Sequence, residues 1–298
     1  MGRLGRDENN SNNVSAVTMK YIYIAGLEHS GTTLTDHLLS QHPNFVGLGE
    51  IASFFSTSHM NQYMKKWGNY PDVSLCSCGK TWEECKFWGH LFHLSGLNSD
   101  SPILGKYKVL IEHIRSNFGE ETVIIDSSKS LPVLKILING HSELKISLRD
   151  ILVIFSIKDV RSFTASMLKK SDFKKSFFSV FHSFNLWRGA NKQFLDYLES
   201  KCINFSINLY ERFCSDAENF INKQFEKCGY KLFEDLDVSH NSSHIAMGNK
   251  NFVMRNRTKI IYDSTWYNDD TINLMYLIHS KARVFNKRLY SLIQNTPS

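Results

Sequence analysis

Short continuous runs of apolar residues alternate along this chain with longer stretches in which apolar residues recur at helical spacing. The clearest run covers residues 20–25 and ends at Gly26, and leucines follow at positions 34, 38 and 39. A continuous apolar run bounded by glycine is typical of a buried strand, and a spacing of three or four residues is typical of a helix. The chain is therefore predicted to begin with a strand and a helix over 32–41.

The same order of strand and helix recurs three more times. The apolar runs and the helical stretches behind them are 123–125 with 131–137, 151–157 with 163–168, and 203–209 with 213–225. Continuous apolar strands separated by helices are typical of a parallel sheet that is covered on both faces. We predict an α/β fold with a central parallel β-sheet flanked by helices in three layers, completed by helices over about 174–200 and 271–293.

Length and composition favour one domain. The chain has 298 residues, of which 42% are hydrophobic, enough for a sizeable core. Residues 1–18 are predicted to be a disordered tail, and 19–298 a single domain with a Cys- and Trp-rich insertion at about 68–100. The N-terminus lacks the apolar segment of a signal peptide, and no later run approaches the ~18 residues of a spanning helix. We expect a cytoplasmic protein with reduced thiols and no membrane span.

The charge balance is mildly basic. Lys and Arg number 35 against 29 Asp and Glu, a formal net charge of +6. This surplus suits an anionic ligand such as a nucleotide, and it falls short of the basic stripe of a nucleic-acid-binding protein. We therefore predict no nucleic-acid partner.

The first predicted turn from strand to helix has the spacing of a phosphate-binding loop. It reads Gly26-Leu-Glu-His-Ser-Gly31-Thr32-Thr33, and in G-x-x-x-x-G-K-[ST] loops the backbone N–H groups wrap a phosphate at a helix N-terminus. Thr32 stands where a nucleoside triphosphatase has the lysine that reaches the β- and γ-phosphates, which argues against γ-phosphoryl transfer. The hydroxyls of Ser30, Thr32 and Thr33 remain as donors. We favour phosphate binding over an ordinary glycine-containing turn.

A second candidate anion site follows the strand predicted at 151–157. Lys158 comes directly after it, and Ser166 lies eight residues further on. Open α/β sheets bind ligands at the carboxyl ends of their strands, where a cation, a helix N-terminus and a hydroxyl suit a phosphate. The alternative is a solvated pair of Lys158 and Asp159.

Together these segments resemble the sulfotransferases that use 3′-phosphoadenosine 5′-phosphosulfate (PAPS). Ser30, Gly31, Thr32 and Thr33, beside His29, resemble their 5′-phosphosulfate loop. Further similar pieces, in chain order, are His42-Pro43, Gly49-Glu50, Cys76 to Trp88, Asp126 to Lys129, Lys158 to Arg161 with Ser166, Tyr210-Glu211, and His244 through Asn249, Arg255 and Asp263 to Trp266. The resemblance covers about residues 20–266 and implies a P-loop-like sulfotransferase fold. His29 and Lys158 stand where many members have Arg, and Val160 where they have Pro.

The resemblance also implies an activity and roles. It implies transfer of a sulfuryl group from PAPS to a hydroxyl or amine by in-line displacement, without a metal, releasing 3′,5′-adenosine bisphosphate (PAP). Glu50 is implied as the general base, and Lys129 is expected to stabilise developing charge. Lys158 and Ser166 are implied at the 3′-phosphate, and Asn249 and Arg255 in a basic loop over the nucleotide. The acceptor stays open among a small molecule, a carbohydrate, a lipid and a peptide.

Two other functions compete with this one. A P-loop small-molecule kinase would need the lysine that Thr32 replaces and an acid to hold Mg²⁺. A non-catalytic nucleotide-binding protein is disfavoured by the presence of both Glu50 and Lys129. The basic residues expected to meet at the ligand edge are Lys129, Lys158, Arg161, Lys250 and Arg255.

The cysteines form a local group without a complete metal motif. Cys76, Cys78 and Cys85 lie close in sequence, with His90 and His93 nearby. Their spacing departs from the usual C-x(2–4)-C pairs of zinc sites, and no fourth ligand is obvious. We favour a structural loop or thiol cluster over a zinc site, and the predicted metal ligands are none.

Overall fold

A parallel five-stranded sheet forms the centre of the protein. The structure is a computed structural model and describes residues 19–55, 76–81, 83–92, 101–170, 175–231, 236–237, 244–245 and 259–294. The strands are β1 (Lys20–Gly26), β2 (Phe45–Gly47), β3 (Val123–Asp126), β4 (Ile151–Ile157) and β5 (Phe205–Leu209), in the order β2-β3-β1-β4-β5. Every pairing between neighbours is parallel. The predicted α/β fold with a parallel sheet is confirmed.

Helices connect the strands and cover the sheet. In chain order they are α1 (Thr32–Leu39), α2 (Ile51–Phe55), α3 (Trp88–Phe92), α4 (Ile103–Phe118), α5 (Leu131–Asn139), α6 (Val160–Lys170), α7 (Phe177–Ser200), α8 (Tyr210–Ser215), α9 (Ala217–Lys227), α10 (Asp270–Ile278) and α11 (Ser280–Gln294). Within the described ranges, no helix is long and apolar enough to cross a membrane.

Two apolar cores lie on opposite faces of the sheet. Successive side chains of a strand point to opposite faces, so Tyr21 and Tyr23 enter the larger core while Ile22 and Ile24 enter the smaller one. Trp187 of α7 packs in the larger core, and residues of α1 and α9 line the smaller. The result is three layers of helix, sheet and helix.

Several element boundaries differ from the prediction. The stretch 271–293 is two helices, because the ring of His279 accepts the N–H of Ala282 at 3.2 Å and starts a new helix there. The stretch 213–225 is also interrupted, at Asp216, whose φ of −150° is not helical. Helix α4 was not predicted. Residues 1–18 and most of the predicted insertion lie outside the described ranges, so the domain assignment stays a prediction.

The carboxyl ends of the strands gather most of the predicted site residues at one edge. The loop predicted to bind phosphate follows β1, the central strand. Glu50 and Lys129 come shortly after β2 and β3 on one side of it, and Lys158 follows β4 on the other. Because all five strands are parallel, these residues share the edge at which α/β sheets bind ligands.

Candidate active site

The loop after β1 has the backbone of an anion cradle. Gly26 has φ 142°, and a Cβ there would lie 2.4 Å from the carbonyl oxygen of Ser156 on β4, so only glycine fits. His29 and Gly31 also have positive φ, 68° and 81°, and turn the chain into α1. Gly31, the residue before α1, makes no side-chain cap, and the first turn of the helix contains no acidic residue.

This arrangement fits a bound phosphate. The N–H groups in the first turn of a helix have no carbonyl partner one turn earlier, and the helix dipole favours negative charge there. The side chains of Ser30, Thr32 and Thr33 are all buried beside the turn. The three hydroxyls that sequence analysis offered as donors therefore lie at this turn, and Thr32 occupies the position of the missing lysine.

Lys158 is a buried ammonium group on the other side of β1. Only 3% of the residue is exposed, and its Nζ donates to Ser166 Oγ at 2.8 Å. Burial lowers the pKa of Lys158, although the carboxylates of Glu211 and Asp263 attract its charge through space. The backbone oxygen of Lys158 accepts a hydrogen bond from the Trp187 indole at 2.9 Å. The predicted pair of Lys158 and Ser166 is thus in contact.

Tyr210 joins the loop to the lysine. The Nζ of Lys158 lies 4.6 Å from the centre of the Tyr210 ring, a distance suited to a cation–π contact. A Cβ on Gly31 would lie 2.6 Å from the same ring. The two candidate phosphate sites therefore share one aromatic wall, which only glycine at position 31 leaves in place.

Glu50 and Lys129 form an ion pair. Lys129 Nζ lies 2.5 Å from Glu50 Oε1, and the two side chains are 13% and 23% exposed, Lys129 and Glu50 respectively. Lys129 has φ 61°, a left-handed conformation that costs a non-glycine residue free energy and that is often found at functional sites. The two residues predicted to be catalytic are thus in direct contact, within reach of solvent.

Asp36 supports both catalytic candidates, and no motif pointed to it. Its Oδ2 accepts the N–H of Gly49 at 3.0 Å and the hydroxyl of Ser127 at 2.8 Å. Burial raises the pKa of Asp36 to about 7, against the opposing effect of these hydrogen bonds. Gly49 precedes Glu50 and Ser127 lies two residues before Lys129, so one side chain on α1 fixes both loops. All eight side chains of α1 are buried, so its carboxyl needs buried partners, but this burial is a property of the fold that the local pattern does not reveal.

A second buried carboxyl fixes the turn that leads to Lys129. Asp126 accepts hydrogen bonds from the hydroxyls of Tyr21 and Tyr107, each at 2.8 Å, and from the N–H of Ser128 at 2.8 Å. Burial raises the pKa of Asp126 to about 6. The turn after β3 is therefore held from β1 and from α4.

Arg161 is held by its neighbour Asp159 and by two aromatic rings. Its guanidinium donates to both carboxylate oxygens of Asp159, at 2.9 Å each, and lies 4.3 Å from the Trp266 ring and 4.2 Å from the Tyr276 ring. Its place among the basic residues expected at the ligand edge stays a prediction.

Three basic or amide residues expected at the edge, Asn249, Lys250 and Arg255, lie outside the described residues. The roles of Asn249 and Arg255 at the nucleotide stay predictions. His90 is described only as part of α3, and His93 is outside the described ranges.

The structure adds a fourth side chain to the cysteine group. Sequence analysis found no fourth ligand beside Cys76, Cys78 and Cys85. His244, 159 residues beyond Cys85, brings its ring to them, and one ligand atom from each of the four lies within 4.8 Å of the others. All three cysteines have free thiols.

Solved structures resemble this architecture over nearly the whole chain. A sulfotransferase domain from the Synechococcus PCC 7002 olefin synthase matches with a TM-score of 0.59 at 15% identity, covering 94% of this chain and 96% of that domain. This chain has a sulfotransferase fold. A sulfotransferase domain from the curacin biosynthetic pathway matches it with a TM-score of 0.56 at 14% identity, over 92% and 98% of the two chains. No family model and no curated protein sequence matches the chain.

The structural match establishes the sulfotransferase fold, and at identities this low the activity has to be argued from the site. The resemblance noted in the sequence implied this fold, and the solved structures confirm it. The donor, the base and the acceptor are separate questions that depend on the residues at the carboxyl edge of the sheet.

Proposed function

We propose that this chain is a sulfotransferase that moves a sulfuryl group from PAPS to an acceptor hydroxyl or amine. One observation carries the proposal: a phosphate-binding loop without its lysine lies between the Glu50–Lys129 ion pair and the buried ammonium of Lys158. A P-loop kinase would depend on the lysine that Thr32 replaces. The two similar solved structures are both sulfotransferase domains, which supports the same class.

The residues around the loop fit a donor with two separate phosphate positions. The turn at Ser30 and Gly31, with the N-terminus of α1, would hold the 5′-phosphosulfate. Lys158 and Ser166 would hold the 3′-phosphate, since a desolvated ammonium gains a charge-assisted hydrogen bond there. A lysine binds phosphate as a point charge, without the two-pronged geometry of arginine. When bound, PAPS supplies an activated sulfuryl group and a leaving bisphosphate.

On this proposal Glu50 performs the proton transfer. Its carboxylate takes the proton of the acceptor hydroxyl or amine as the acceptor atom bonds to sulfur. The bond from sulfur to the bridging phosphate oxygen breaks, and its electron pair stays with the bisphosphate. Lys129, 2.5 Å from Glu50, provides positive charge for the departing oxygen. Asp36 fixes the positions of the two loops relative to each other, because it accepts hydrogen bonds from Gly49 and Ser127.

The direct test is transfer of label. The purified chain is incubated with ³⁵S-labelled PAPS and fractionated extract of the source cell, and the fractions are separated and counted. We expect label in at least one fraction with the native chain and none with Glu50→Gln. A parallel incubation with γ-³²P-labelled ATP and Mg²⁺ is expected to label nothing above a no-enzyme blank. Label from ATP and none from PAPS would replace the proposal with the kinase function.

A further inference from the structure

The cysteine group with His244 has the composition of a metal centre. We propose that Cys76, Cys78, Cys85 and His244 bind one zinc ion in a tetrahedral site. Their ligand atoms lie within 4.8 Å of one another, and Cys76 and Cys85 are 2% and 1% exposed. Three thiolates and one imidazole in tetrahedral arrangement are a ligand set typical of structural zinc.

The distances between the ligand atoms match the edges of a zinc tetrahedron. With Zn–S bonds of about 2.3 Å and Zn–N bonds of about 2.0–2.1 Å, two sulfurs lie about 3.8 Å apart and a sulfur and a nitrogen about 3.6 Å apart. Cys78 Sγ lies 3.7 Å from Cys85 Sγ. The Nδ1 of His244 lies 3.3 Å from the sulfur of Cys85 and 3.7 Å from that of Cys76. A disulfide would instead bring two sulfurs to about 2.05 Å.

Backbone hydrogen bonds hold the segment that carries the three cysteines. In a tight turn the N–H of Gly79, at φ 82°, donates to the oxygen of Cys76 at 2.9 Å, and the N–H of Cys76 donates to the oxygen of Lys80 at 2.8 Å. Cys85 is held by its own N–H, which donates to the oxygen of Thr81 at 2.9 Å. The backbone around the sulfurs is therefore fixed without a metal.

Contacts on three sides aim the His244 ring at the cysteines. The ring stacks on Phe87, with 5.4 Å between centres and 15° between planes. The backbone oxygen of His244 accepts the Trp88 indole N–H at 2.7 Å. The backbone N–H of His244 donates to the backbone oxygen of Gly47 at 3.1 Å. These contacts leave Nδ1 as the atom that faces the sulfurs.

The site would join two distant segments, 76–85 and 244–245. Ser77 and Ile245 exchange two hydrogen bonds, from the Ser77 N–H to the Ile245 oxygen at 3.1 Å and from the Ile245 N–H to the Ser77 hydroxyl at 2.9 Å. A zinc ion would lock this junction next to β2, whose last residue, Gly47, lies three positions before Glu50. With four protein ligands the ion has no open position, so its role is structural. The site is independent of the proposed sulfuryl transfer.

Metal analysis tests the zinc site without an activity assay. The chain, purified without a polyhistidine tag or chelator and reconstituted with zinc under reducing conditions, is dialysed and analysed for metal by mass spectrometry. We expect about one zinc per chain, and less than about one fifth of that in Cys85→Ser and His244→Ala. The matched control is Cys228→Ser, a buried cysteine in the opposite core, which should keep the full amount.

Cobalt spectra distinguish lost ligands from lost folding. Reconstitution with Co²⁺ should give intense tetrahedral ligand-field bands and a thiolate-to-cobalt charge-transfer band. His244→Cys keeps four ligands, so it should bind Co²⁺ with a charge-transfer band stronger by about one third. Native chain without metal after reconstitution, iron in place of zinc, a disulfide among the three cysteines, or full zinc in His244→Ala would each overturn the proposal.

Discussion

The two sides of the phosphate-binding loop hold their lysines in opposite ways. On the β3 side, Lys129 is ion-paired with Glu50 and both side chains remain partly exposed. On the β4 side, Lys158 is buried, and the neutral hydroxyl of Ser166 is its hydrogen-bond partner. Burying an ammonium group whose hydrogen bond goes to a neutral hydroxyl costs free energy. A bound anion would offset this cost through a charge-assisted hydrogen bond. This contrast fits the proposed function, in which Lys158 binds the donor and Glu50 takes the proton.

One helix supports both sides. Asp36 of α1 holds the loops before Glu50 and Lys129, while Gly31, directly before α1, leaves room for the ring of Tyr210 that lies beside Lys158. The positions of the binding and reacting groups are thus set relative to the same N-terminus. Four substitutions and one pH titration test this comparison.

Replacing Glu50 by Gln should have the largest effect. The amide cannot take the acceptor proton, so kcat should fall about 10²- to 10⁴-fold while the Kd for PAP changes less than about twofold. Steady-state kinetics with the acceptor found by labelling, together with calorimetric titration of PAP, measure the two quantities. Glu143→Gln, at an exposed residue away from the site, is the control. Equal losses of turnover and PAP binding would remove Glu50 from the role of base.

Replacing Lys158 by Ala should have the opposite effect, with weaker PAP binding and nearly unchanged turnover. Loss of a charged hydrogen bond of about 1.5–3 kcal/mol should weaken PAP binding about 10- to 100-fold, with kcat at saturating PAPS within about threefold of native. The same kinetics and titrations apply. Lys192→Ala, at an exposed lysine paired with Asp196, serves as control. A fall in kcat with unchanged PAP affinity would reverse the assignment of the two sides.

Gly31→Ala should disturb the connection between the loop and Lys158. The new Cβ would meet the Tyr210 ring at 2.6 Å, so we expect PAP binding about tenfold weaker, and the strain at φ 81° should cost about 1–2 kcal/mol in the free energy of unfolding. Gly119→Ala is a matched control, because Gly119 has φ 90° but open space around it. If both variants bind PAP equally well, Tyr210 does not form a shared wall.

The affinity for PAP should depend on pH through Lys158. Burial lowers the pKa of this lysine, so its ammonium is lost at a lower pH than the ~10.4 of an ordinary lysine. Phosphate monoesters are fully ionised above about pH 7.5, since their second pKa is about 6. PAP affinity should therefore fall several-fold from about pH 7.5 to 10 in the native chain. Calorimetry of Lys158→Ala should show no such fall; equal slopes would exclude Lys158 as the titrating contact.

Asp36→Asn should change the pH dependence of stability. Because the folded-state pKa of Asp36 is raised from 3.8 to about 7, the folded chain binds this proton more tightly than the unfolded chain. The stability gained from that proton is complete below about pH 4 and is lost as pH rises to about 7. Asparagine keeps an acceptor for Gly49 and Ser127, so its unfolding free energy should vary less over this range. Denaturant titrations check this; an unchanged slope would contradict it.

Local patterns explain which site residues sequence could predict. The loop at Gly26 and Gly31 could be predicted from spacing within one turn. Glu50, Lys129 and Lys158 lie within three residues of the ends of β2, β3 and β4, and a parallel sheet brings such positions to one edge. Helix α4 was missed although Tyr107, Leu110, Ile111 and Ile114 have helical spacing, so its signal was present in the sequence.

The contacts that sequence did not predict depend on tertiary packing. Asp36 is 91 residues from Ser127, and His244 is 159 residues from Cys85. No local period brings such pairs together. The ion pair of Arg161 with Asp159 is local by contrast, because the two residues lie two positions apart.

The central claim is that this edge binds PAP in preference to ATP with Mg²⁺. The most direct measurement compares the melting temperature of the native chain with saturating PAP and with saturating ATP–Mg²⁺. We predict a rise with PAP that is smaller in Lys158→Ala at the same PAP concentration, and little change with ATP–Mg²⁺. Protection by ATP–Mg²⁺ without protection by PAP would contradict the account.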